Sequence, residues 1–289
     1  MKRYDHLYEK IYDLENLRKA HQHAKKGKGW YREVVEIDKD PDKYLKQIQE
    51  MLINHTYKTS EYEVFYKKDG KKVRKIYKLP YFPDRICQWA ILQVIEPCII
   101  NNLTADTYSA IPKRGIHKAL VNLQDAIIDS TTTAEIEDLT AIYLLEEDID
   151  PETGIPIGNY LSQYSGNYYF SSFDHWLKEQ KHVKHYYRYM DDIVIFGRTK
   201  EELLSLLKEI QQYFRTELKL NVKGNWQIFP TYIRGVDFLG YRTFYKYTLL
   251  RKSTCQEMKK KMTAIRNKVE AGNMMNYSEW CSIKLVEIR

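Results

Sequence analysis

Apolar residues recur at helical spacing along several stretches of the chain. Near the N-terminus, Leu7, Ile11 and Leu14 lie three or four positions apart with charged residues between them, as on one face of a helix. The same reasoning predicts a mainly helical region over 6–55 and single helices from Arg85 to Ile100, Lys200 to Leu218 and Ser253 to Val269. The helix from Arg85 to Ile100 is apolar enough to be mostly buried.

Other stretches have the pattern of strands. Between Tyr57 and Tyr77, apolar residues alternate with polar ones on either side of Asp69-Gly70, which predicts a β-hairpin with Asp-Gly at its tip. Tyr186 to Gly197 contains two β-rich runs around Asp191-Asp192 and predicts a second hairpin with two acids at its turn. A further strand is predicted from Trp226 to Phe229. Because strands and helices mix without a regular strand–helix–strand order, we expect an α+β fold.

Composition excludes several classes of protein. Of the 289 residues, 43% are hydrophobic and 29% are charged, as in a folded globular protein. The chain shows neither an apolar run that could span a bilayer nor a secretory signal, so a cytoplasmic location is expected. The four cysteines lack CxxC spacing, which favours free thiols over disulfides or zinc. A net charge of +7 and 25 tyrosines are compatible with nucleic-acid binding.

Asp191-Asp192 is the focal candidate for chemistry. At a tight turn both carboxylates can approach one volume, and two like charges are tolerated there only if a cation neutralises them. Mg²⁺ typically takes one or two carboxylates together with substrate phosphates. Two such ions about 3.5–4 Å apart would stabilise the attacking and leaving oxygens of a phosphoryl transfer. A solvated acidic turn is the alternative interpretation.

The residues around this pair resemble a known family. Tyr189-Met190-Asp191-Asp192 between two hydrophobic strands resembles the signature of reverse transcriptases. Other segments resemble motifs of that family in the same order: Asp84-Arg85 with Gln88, Arg114 to Ala119, Ile155 to Gln163, and Phe238 to Tyr241. The resemblance extends from about Tyr57 to Lys260. The turn Ile157-Gly158 to Ser162-Gln163, in place of Gln-Gly and Ser-Pro, is similar to that of diversity-generating retroelement reverse transcriptases.

The resemblance implies a right-hand polymerase fold. We expect an N-terminal helical extension (1–56), fingers and a fingers–palm segment (57–130), a palm with an antiparallel sheet (131–248) and a short or truncated helical thumb (249–289). The implied activity is RNA-directed DNA synthesis from a template-repeat RNA, with two Mg²⁺ ions or Mn²⁺ as a substitute. The implied partners are an RNA template, a DNA or RNA primer, dNTPs and a basic accessory protein, with no membrane.

Residue roles follow from the matching motifs. Asp191 would be the main metal ligand, Asp192 would support it at the primer terminus, and Lys223 would donate a proton to the leaving pyrophosphate. The nucleotide-binding set is Arg74, Gly158, Gln163, Tyr189 and Met190, and the primer grip is Phe238, Leu239, Gly240 and Tyr241. For Arg74 and Lys223 a solvated surface charge remains the alternative. For Ser162 or Asn159 a helix N-cap is the alternative role.

Two basic stretches fit the same function. Between Lys67 and Lys78 there are seven Lys or Arg residues against one acid, and between Arg251 and Glu270 there are seven against two. Fingers and thumb would both need to bind nucleic-acid phosphates, and such contacts weaken with added salt.

The family's first catalytic carboxylate is missing from the expected place. It usually follows a hydrophobic strand and precedes two aromatic residues, and no such string occurs between Ala119 and Gly154. Instead, Asp129 to Glu152 holds nine acids and no Lys or Arg. Ile142 to Leu145, followed by Glu146-Glu147-Asp148, imitates a strand leading into carboxylates, but lies too near Ile155 to leave room for the intervening helix.

We therefore expect Ile136 to Leu145 to be the tail of that helix, with the catalytic block absent near Ser130 to Thr133. Three explanations of this gap stay open: a natural deletion, a deliberate removal, or the omission of residues without an ordered structure from the sequence. The short C-terminal end favours the last two. Without the block, little or no synthesis is expected, because two adjacent carboxylates alone hold two ions poorly.

Two alternatives to the retroelement enzyme stay open. One is a phage-defence or group II intron-like reverse transcriptase, although the Ile157-Gly158 turn argues against the intron type. The other is an inactive RNA-binding scaffold.

Overall fold

The computed structural model describes residues 3–69, 72–132, 140–144 and 159–270. The helices are α1 (Leu7–Tyr12), α2 (Leu14–Lys25), α3 (Arg32–Ile37), α4 (Pro41–Ile53), α5 (Ile86–Asn102), α6 (Ile116–Thr132), α7 (Tyr160–Tyr169), α8 (Ser171–His175), α9 (Lys200–Tyr213), α10 (Thr231–Arg234) and α11 (Lys252–Glu270). The strands are β1 (Glu63–Asp69), β2 (Lys72–Lys78), β3 (Thr140–Leu144), β4 (His185–Tyr189), β5 (Asp192–Gly197), β6 (Gln227–Pro230), β7 (Val236–Phe238), β8 (Tyr241–Thr243) and β9 (Thr248–Leu250). Helices combined with small antiparallel sheets confirm the predicted α+β class.

The N-terminal region is helical, as predicted for 6–55. Asp13 begins α2 by accepting a hydrogen bond from the backbone N–H of Asn16, and Asp40 begins α4 by accepting one from Lys43. The apolar faces of these helices form one buried cluster with α5. The members of this cluster include Leu17 of α2 and Ile48 of α4. The helix predicted from Arg85 to Ile100 is found as α5.

The predicted hairpin between Tyr57 and Tyr77 is found as β1 and β2, paired from Glu63↔Lys78 to Asp69↔Lys72. Gly70, expected at its tip, lies outside the described residues. Tyr66 and Val73 are among the exposed large side chains of this hairpin.

The largest sheet has the order β4-β5-β3-β6, and all its neighbours are antiparallel. Alternate residues of β5 enter two different cores. Ile193 and Ile195 pack into a cluster with α8 and α9, whereas Val194 and Phe196 pack into a cluster with α6. Burial on both faces explains the unbroken hydrophobic run after the acidic pair. The sheet therefore holds β4 and β5 rigidly beneath their connecting turn.

Gly197, the last residue of β5, lets α9 pack closely on the sheet. A Cβ at this position would lie 2.6 Å from Cδ2 of the buried Leu203. The predicted helix from Lys200 to Leu218 is found as α9 continued by a π-helical turn, Phe214–Leu218.

The prediction of a helix tail over Ile136 to Leu145 is wrong for the described residues 140–144, which form β3. This strand lies between β5 and β6, with Ile142 opposite both Ile195 and Ile228. Without β3, the facing edges of β5 and β6 would have unpaired backbone N–H and C=O groups. Pairing with β3 satisfies these groups and also the backbone of β3 itself. The β-favouring residues Thr140, Ile142 and Tyr143 support the same outcome. Tertiary pairing therefore decides the structure of this segment.

The third sheet, β7-β8-β9, precedes α11, which corresponds to the helix predicted from Ser253 to Val269. Cys87, Cys98 and Cys255 are free thiols, as expected, and Cys281 lies outside the described residues. Within the described part of the chain, no helix has both the length and the apolar character that crossing a bilayer requires.

Candidate active site

The carboxylate pair lies on the turn that joins β4 to β5. Tyr189 pairs with Asp192, so Met190 and Asp191 are the two connecting residues. Met190 has a φ of 57°, in the left-handed region that disfavours residues with a side chain. Strained backbone of this kind occurs preferentially at functional sites. Asp191 is exposed and Asp192 is partly buried. The predicted hairpin with acids at its turn is confirmed.

The charges around Asp192 form a small electrostatic cluster. Burial, followed by the like charge of Asp191, raises the pKa of Asp192 to about 6. Arg251 and Lys223 act in the opposite direction, and Asp237 adds to the rise. The structure therefore brings Lys223 within electrostatic reach of the carboxylate pair. An added cation would relieve the repulsion between the two acids.

Arg251 is a further member of this cluster, which the sequence placed at the start of a basic stretch without assigning it a role at the carboxylate pair. Its Nε donates a hydrogen bond of 2.7 Å to Oδ1 of Asp237, and its backbone N–H donates one of 2.8 Å to the carbonyl of Gly240. Arg251 thus joins the β7–β8 hairpin to the start of α11 next to Asp192. Its sequence signal was its place at the start of the basic stretch from Arg251 to Glu270, after the Phe238–Tyr241 motif.

The residues predicted to grip the primer form the β7–β8 hairpin. Leu239 and Gly240 connect the strands with φ values of 53° and 86°, a conformation that suits glycine at the second position. The side chain of Phe238 is fully buried with Val194. Tyr241 pairs with Leu250 of β9 and is partly exposed. Phe238 therefore fixes the hairpin to the core, and Leu239 and Gly240 of the turn are partly exposed.

Helix α7 lies against the carboxylate turn. A Cβ on Gly166 would lie 3.6 Å from Cε of Met190, so the methionine side chain reaches this helix. Gln163 is exposed and lies one turn earlier on the same face of α7. The structure thus brings Gln163 into the neighbourhood of Met190, and Tyr189 lies next to Met190 at the end of β4. Gly158 lies outside the described residues.

Helix α7 begins without a side-chain N-cap. Asn159 occupies the N-cap position but makes no side-chain capping hydrogen bond. Its Nδ2 donates a hydrogen bond of 3.3 Å to Oη of Tyr62, just before β1. Ser162 lies inside the helix. Asn159 therefore connects α7 to the segment that leads into the β1–β2 hairpin.

Arg74 lies on the two-stranded sheet of β1 and β2, whereas the carboxylate turn belongs to the four-stranded sheet. It is exposed on β2 and lies opposite Lys67 of β1. Its role toward a nucleotide stays a prediction.

Beneath the turn lies a buried polar network, here named the Arg188 hub and formed by Arg188, Asp174, Asn167, Thr107 and the Met190 carbonyl. Arg188 and Asp174 are both fully buried and pair through two hydrogen bonds, Nε to Oδ1 at 2.8 Å and Nη2 to Oδ2 at 2.6 Å. Arg188 Nη1 donates to Oδ1 of Asn167 and to the carbonyl of Met190, both at 3.2 Å. The hub therefore contacts the turn directly.

The donor chemistry of the turn fits a divalent cation. Two carboxylates at one turn, one of them with its pKa raised by burial and like charge, supply part of an oxygen ligand set, and substrate phosphates and water commonly supply the rest. Within the described residues, no group of three or more His, Cys, Asp or Glu side chains is arranged to hold a metal ion. Asp191 and Asp192 are thus candidate ligands that need others to complete the site.

Comparison with protein families identifies the segment that carries these features. No curated protein gives a significant match to the chain. Residues 144–243 match the family profile of reverse transcriptase (RNA-dependent DNA polymerase). The matched range begins at the last residue of β3, ends in β8 and includes the carboxylate turn and the β7–β8 hairpin. Reverse transcriptases bind a nucleic-acid template and primer and generally use divalent metal ions. Residues 144–243 are therefore similar to a reverse transcriptase domain.

Proposed function

We propose that this chain is the RNA-directed DNA polymerase of a diversity-generating retroelement, which copies a template-repeat RNA into cDNA together with a basic accessory protein. The observation that carries the proposal is the Asp191-Asp192 pair on the β4–β5 turn, inside the segment that matches the reverse transcriptase family. The retroelement subtype is supported by the Ile157-Gly158 to Ser162-Gln163 form of the preceding motif.

Under this proposal, the sheets and helices correspond to the parts of a right-hand polymerase. The β1–β2 hairpin belongs to the fingers, the β4-β5-β3-β6 sheet forms the palm, and α11 begins a partial thumb. Helices α1 to α4 form an N-terminal extension. Fingers and thumb then carry the two basic stretches on either side of the palm, as the binding of an RNA–primer duplex requires.

The candidate site residues have different roles in the proposed nucleotidyl transfer. Asp191 and Asp192 would hold the divalent cations at the primer terminus, and these cations would supply charge stabilisation for the attacking and leaving oxygens. Lys223, which lies near Asp192, donates a proton to the leaving pyrophosphate. Arg74 binds the nucleotide triphosphate, since a planar guanidinium matches phosphate oxygens. The β7–β8 turn holds the primer strand.

The position of β3 bears on the first catalytic aspartate, whose usual sequence motif is missing from this chain. Leu144 pairs with Ile193, so β3 ends at the edge of the sheet that carries the carboxylate turn. The resemblance places the first catalytic aspartate directly after a hydrophobic strand and before two aromatic residues. Here β3 is followed in the sequence by Leu145, Glu146, Glu147 and Asp148, with no aromatic pair after them. We infer that the chain binds metal through Asp191 and Asp192 and that its synthesis is weak.

Primer extension tests the proposal. Wild type and Asp191→Ala are compared on an RNA template with a DNA primer, dNTPs and Mg²⁺ or Mn²⁺, and RNA affinity is measured in parallel by fluorescence anisotropy. We expect equal RNA affinity and a low level of synthesis that only wild type retains. Robust Asp191-dependent synthesis would refute the inference that the missing block limits the enzyme.

The second candidate function is an RNA-binding scaffold without turnover, which the absence of the first aspartate motif favours. Under this alternative both proteins bind RNA, neither extends the primer, and Mn²⁺ binding does not depend on Asp191.

A further inference from the structure

We propose that the buried Arg188–Asp174 pair is a positioning device for the carboxylate turn, in which Arg188 fixes the peptide between Met190 and Asp191 and thereby orients Asp191. The proposal rests on the proposed function of the turn as a metal-binding centre. It adds two residues that neither the sequence patterns nor the family match assigns to a role.

The first argument is direct contact with the turn. Nη1 of Arg188 donates a hydrogen bond of 3.2 Å to the carbonyl of Met190, the residue with the left-handed backbone. That carbonyl belongs to the peptide whose nitrogen is the backbone N of Asp191. Holding the peptide plane therefore restricts the backbone from which the Asp191 side chain projects.

The second argument is that Arg188 is fixed from several directions. In addition to Asp174 and Met190, its guanidinium donates to Asn167 of α7 and to Oγ1 of Thr107, the latter at 3.4 Å. Its backbone N–H donates to the carbonyl of Asp106, and its carbonyl accepts from Tyr108. A side chain held at both ends retains little freedom, so the donor to Met190 stays in place.

The third argument is that Asp174 is equally committed. Oδ1 accepts from Nε of Arg188 and from the hydroxyl of Tyr186, and Oδ2 accepts from Nη2 of Arg188 and from Oγ1 of Thr107. Both carboxylate oxygens therefore have two donors each. The carboxylate locks the guanidinium in the orientation that leaves Nη1 for Met190.

Energetics favour orientation over stability as the role of the pair. Desolvation of two charges offsets most of their attraction, and apolar replacement of a buried ion pair is often neutral or stabilising. Arg188 and Asp174 are both at zero exposure, so they incur the full desolvation penalty. A core that needed only packing at this point would not require them.

The test uses variants that leave no buried charge unpaired. Arg188→Met/Asp174→Asn removes both charges and keeps hydrogen-bonding groups for Tyr186 and Thr107. Tyr186→Phe is the matched control, because it removes one hydrogen bond from Asp174 but keeps both charges and the donor from Arg188 to Met190. Arg188→Lys retains a positive charge for Asp174 but lacks the planar fork that also reaches Met190.

Three quantities are measured for each full-length variant: the free energy of unfolding in urea, Mn²⁺ affinity by electron paramagnetic resonance, and amide hydrogen exchange of Asp191 and Asp192. The double variant is expected to fold, to bind Mn²⁺ about tenfold more weakly and to exchange the turn amides faster. Arg188→Lys should behave in the same way at the turn, whereas Tyr186→Phe should match wild type there.

Wild-type Mn²⁺ affinity and wild-type exchange at the turn in folded Arg188→Lys or in the folded double variant would overturn the proposal. If the double variant does not fold, the Mn²⁺ affinity and the turn exchange rates of Arg188→Lys alone decide whether the proposal holds or is overturned. Asp191→Ala separates this result from the proposed function. If Asp191→Ala binds Mn²⁺ like wild type, the metal centre is refuted, and the exchange rates alone then decide whether Arg188 orders the turn.

Discussion

Leu144, the last residue of β3, pairs with Ile193, the residue that directly follows Asp192. This pairing brings the end of β3 to the same edge of the sheet as the carboxylate turn. The strand therefore ends where a third carboxylate could join Asp191 and Asp192, and the acids that follow it in the sequence, Glu146, Glu147 and Asp148, lie outside the described residues.

The raised pKa of Asp192 predicts how stability depends on pH in metal-free protein. The folded state holds the Asp192 proton more tightly than the unfolded state, so this group favours folding below about pH 4 and loses its effect as pH rises through about 6. Asp192→Asn should therefore match wild type near pH 4 and exceed its stability at pH 7.5 by on the order of 2 kcal/mol.

Urea unfolding of both proteins at the two pH values, in the presence of a chelator, measures this difference. Mg²⁺ should reduce the difference at pH 7.5, because it stabilises only the protein that retains the carboxylate. A difference that is the same at pH 4 and pH 7.5 would show that Asp192 titrates normally in the folded protein.

The left-handed backbone of Met190 predicts an unusual order of stability. Met190→Gly should be more stable than Met190→Ala by about 1 kcal/mol, since glycine adopts a φ of 57° without steric cost. The comparison site is Gln212, an exposed residue of α9, where alanine should be more stable than glycine by a similar amount. Urea midpoints of the four variants measure both differences. If alanine is also the more stable residue at 190, the turn is not strained.

Arg251 should control the ionisation of Asp192. Arg251→Gln removes a cation that lowers the pKa of Asp192, and it leaves Asp237 without its close partner, so the pKa of Asp192 should rise above about 6. Carboxyl-carbon NMR titration measures this pKa. Arg242→Gln is a matched control, because Arg242 also pairs with Asp237, at 3.6 Å, but makes no described contribution at Asp192. Identical shifts in the two variants would remove Arg251 from the site.

The parts of the site that depend on local pattern could be predicted from the sequence. Two β-rich runs around Asp191-Asp192 specify a hairpin, and the two-residue period fixes which side chains of β5 enter each core. The alternation between Tyr57 and Tyr77 specified the first hairpin in the same way. These elements need no information from distant parts of the chain.

Other parts depend on contacts between distant residues. β3 takes its conformation from β5 and β6, whose partners to Ile142 are Ile195 and Ile228. The Arg188 hub joins residues up to 81 positions apart, from Thr107 to Arg188. An arginine within an aromatic strand gave no sign of its partners, because only the folded chain brings Asp174 and Asn167 to it.

The most direct test of the central claim is Mn²⁺ binding to wild type and Asp191→Ala, followed by electron paramagnetic resonance at pH 7.5. If the β4–β5 turn is the metal centre of a polymerase, wild type shows saturable binding that Asp191→Ala weakens at least about tenfold, with unchanged affinity for RNA. Equal Mn²⁺ binding by the two proteins would contradict the account.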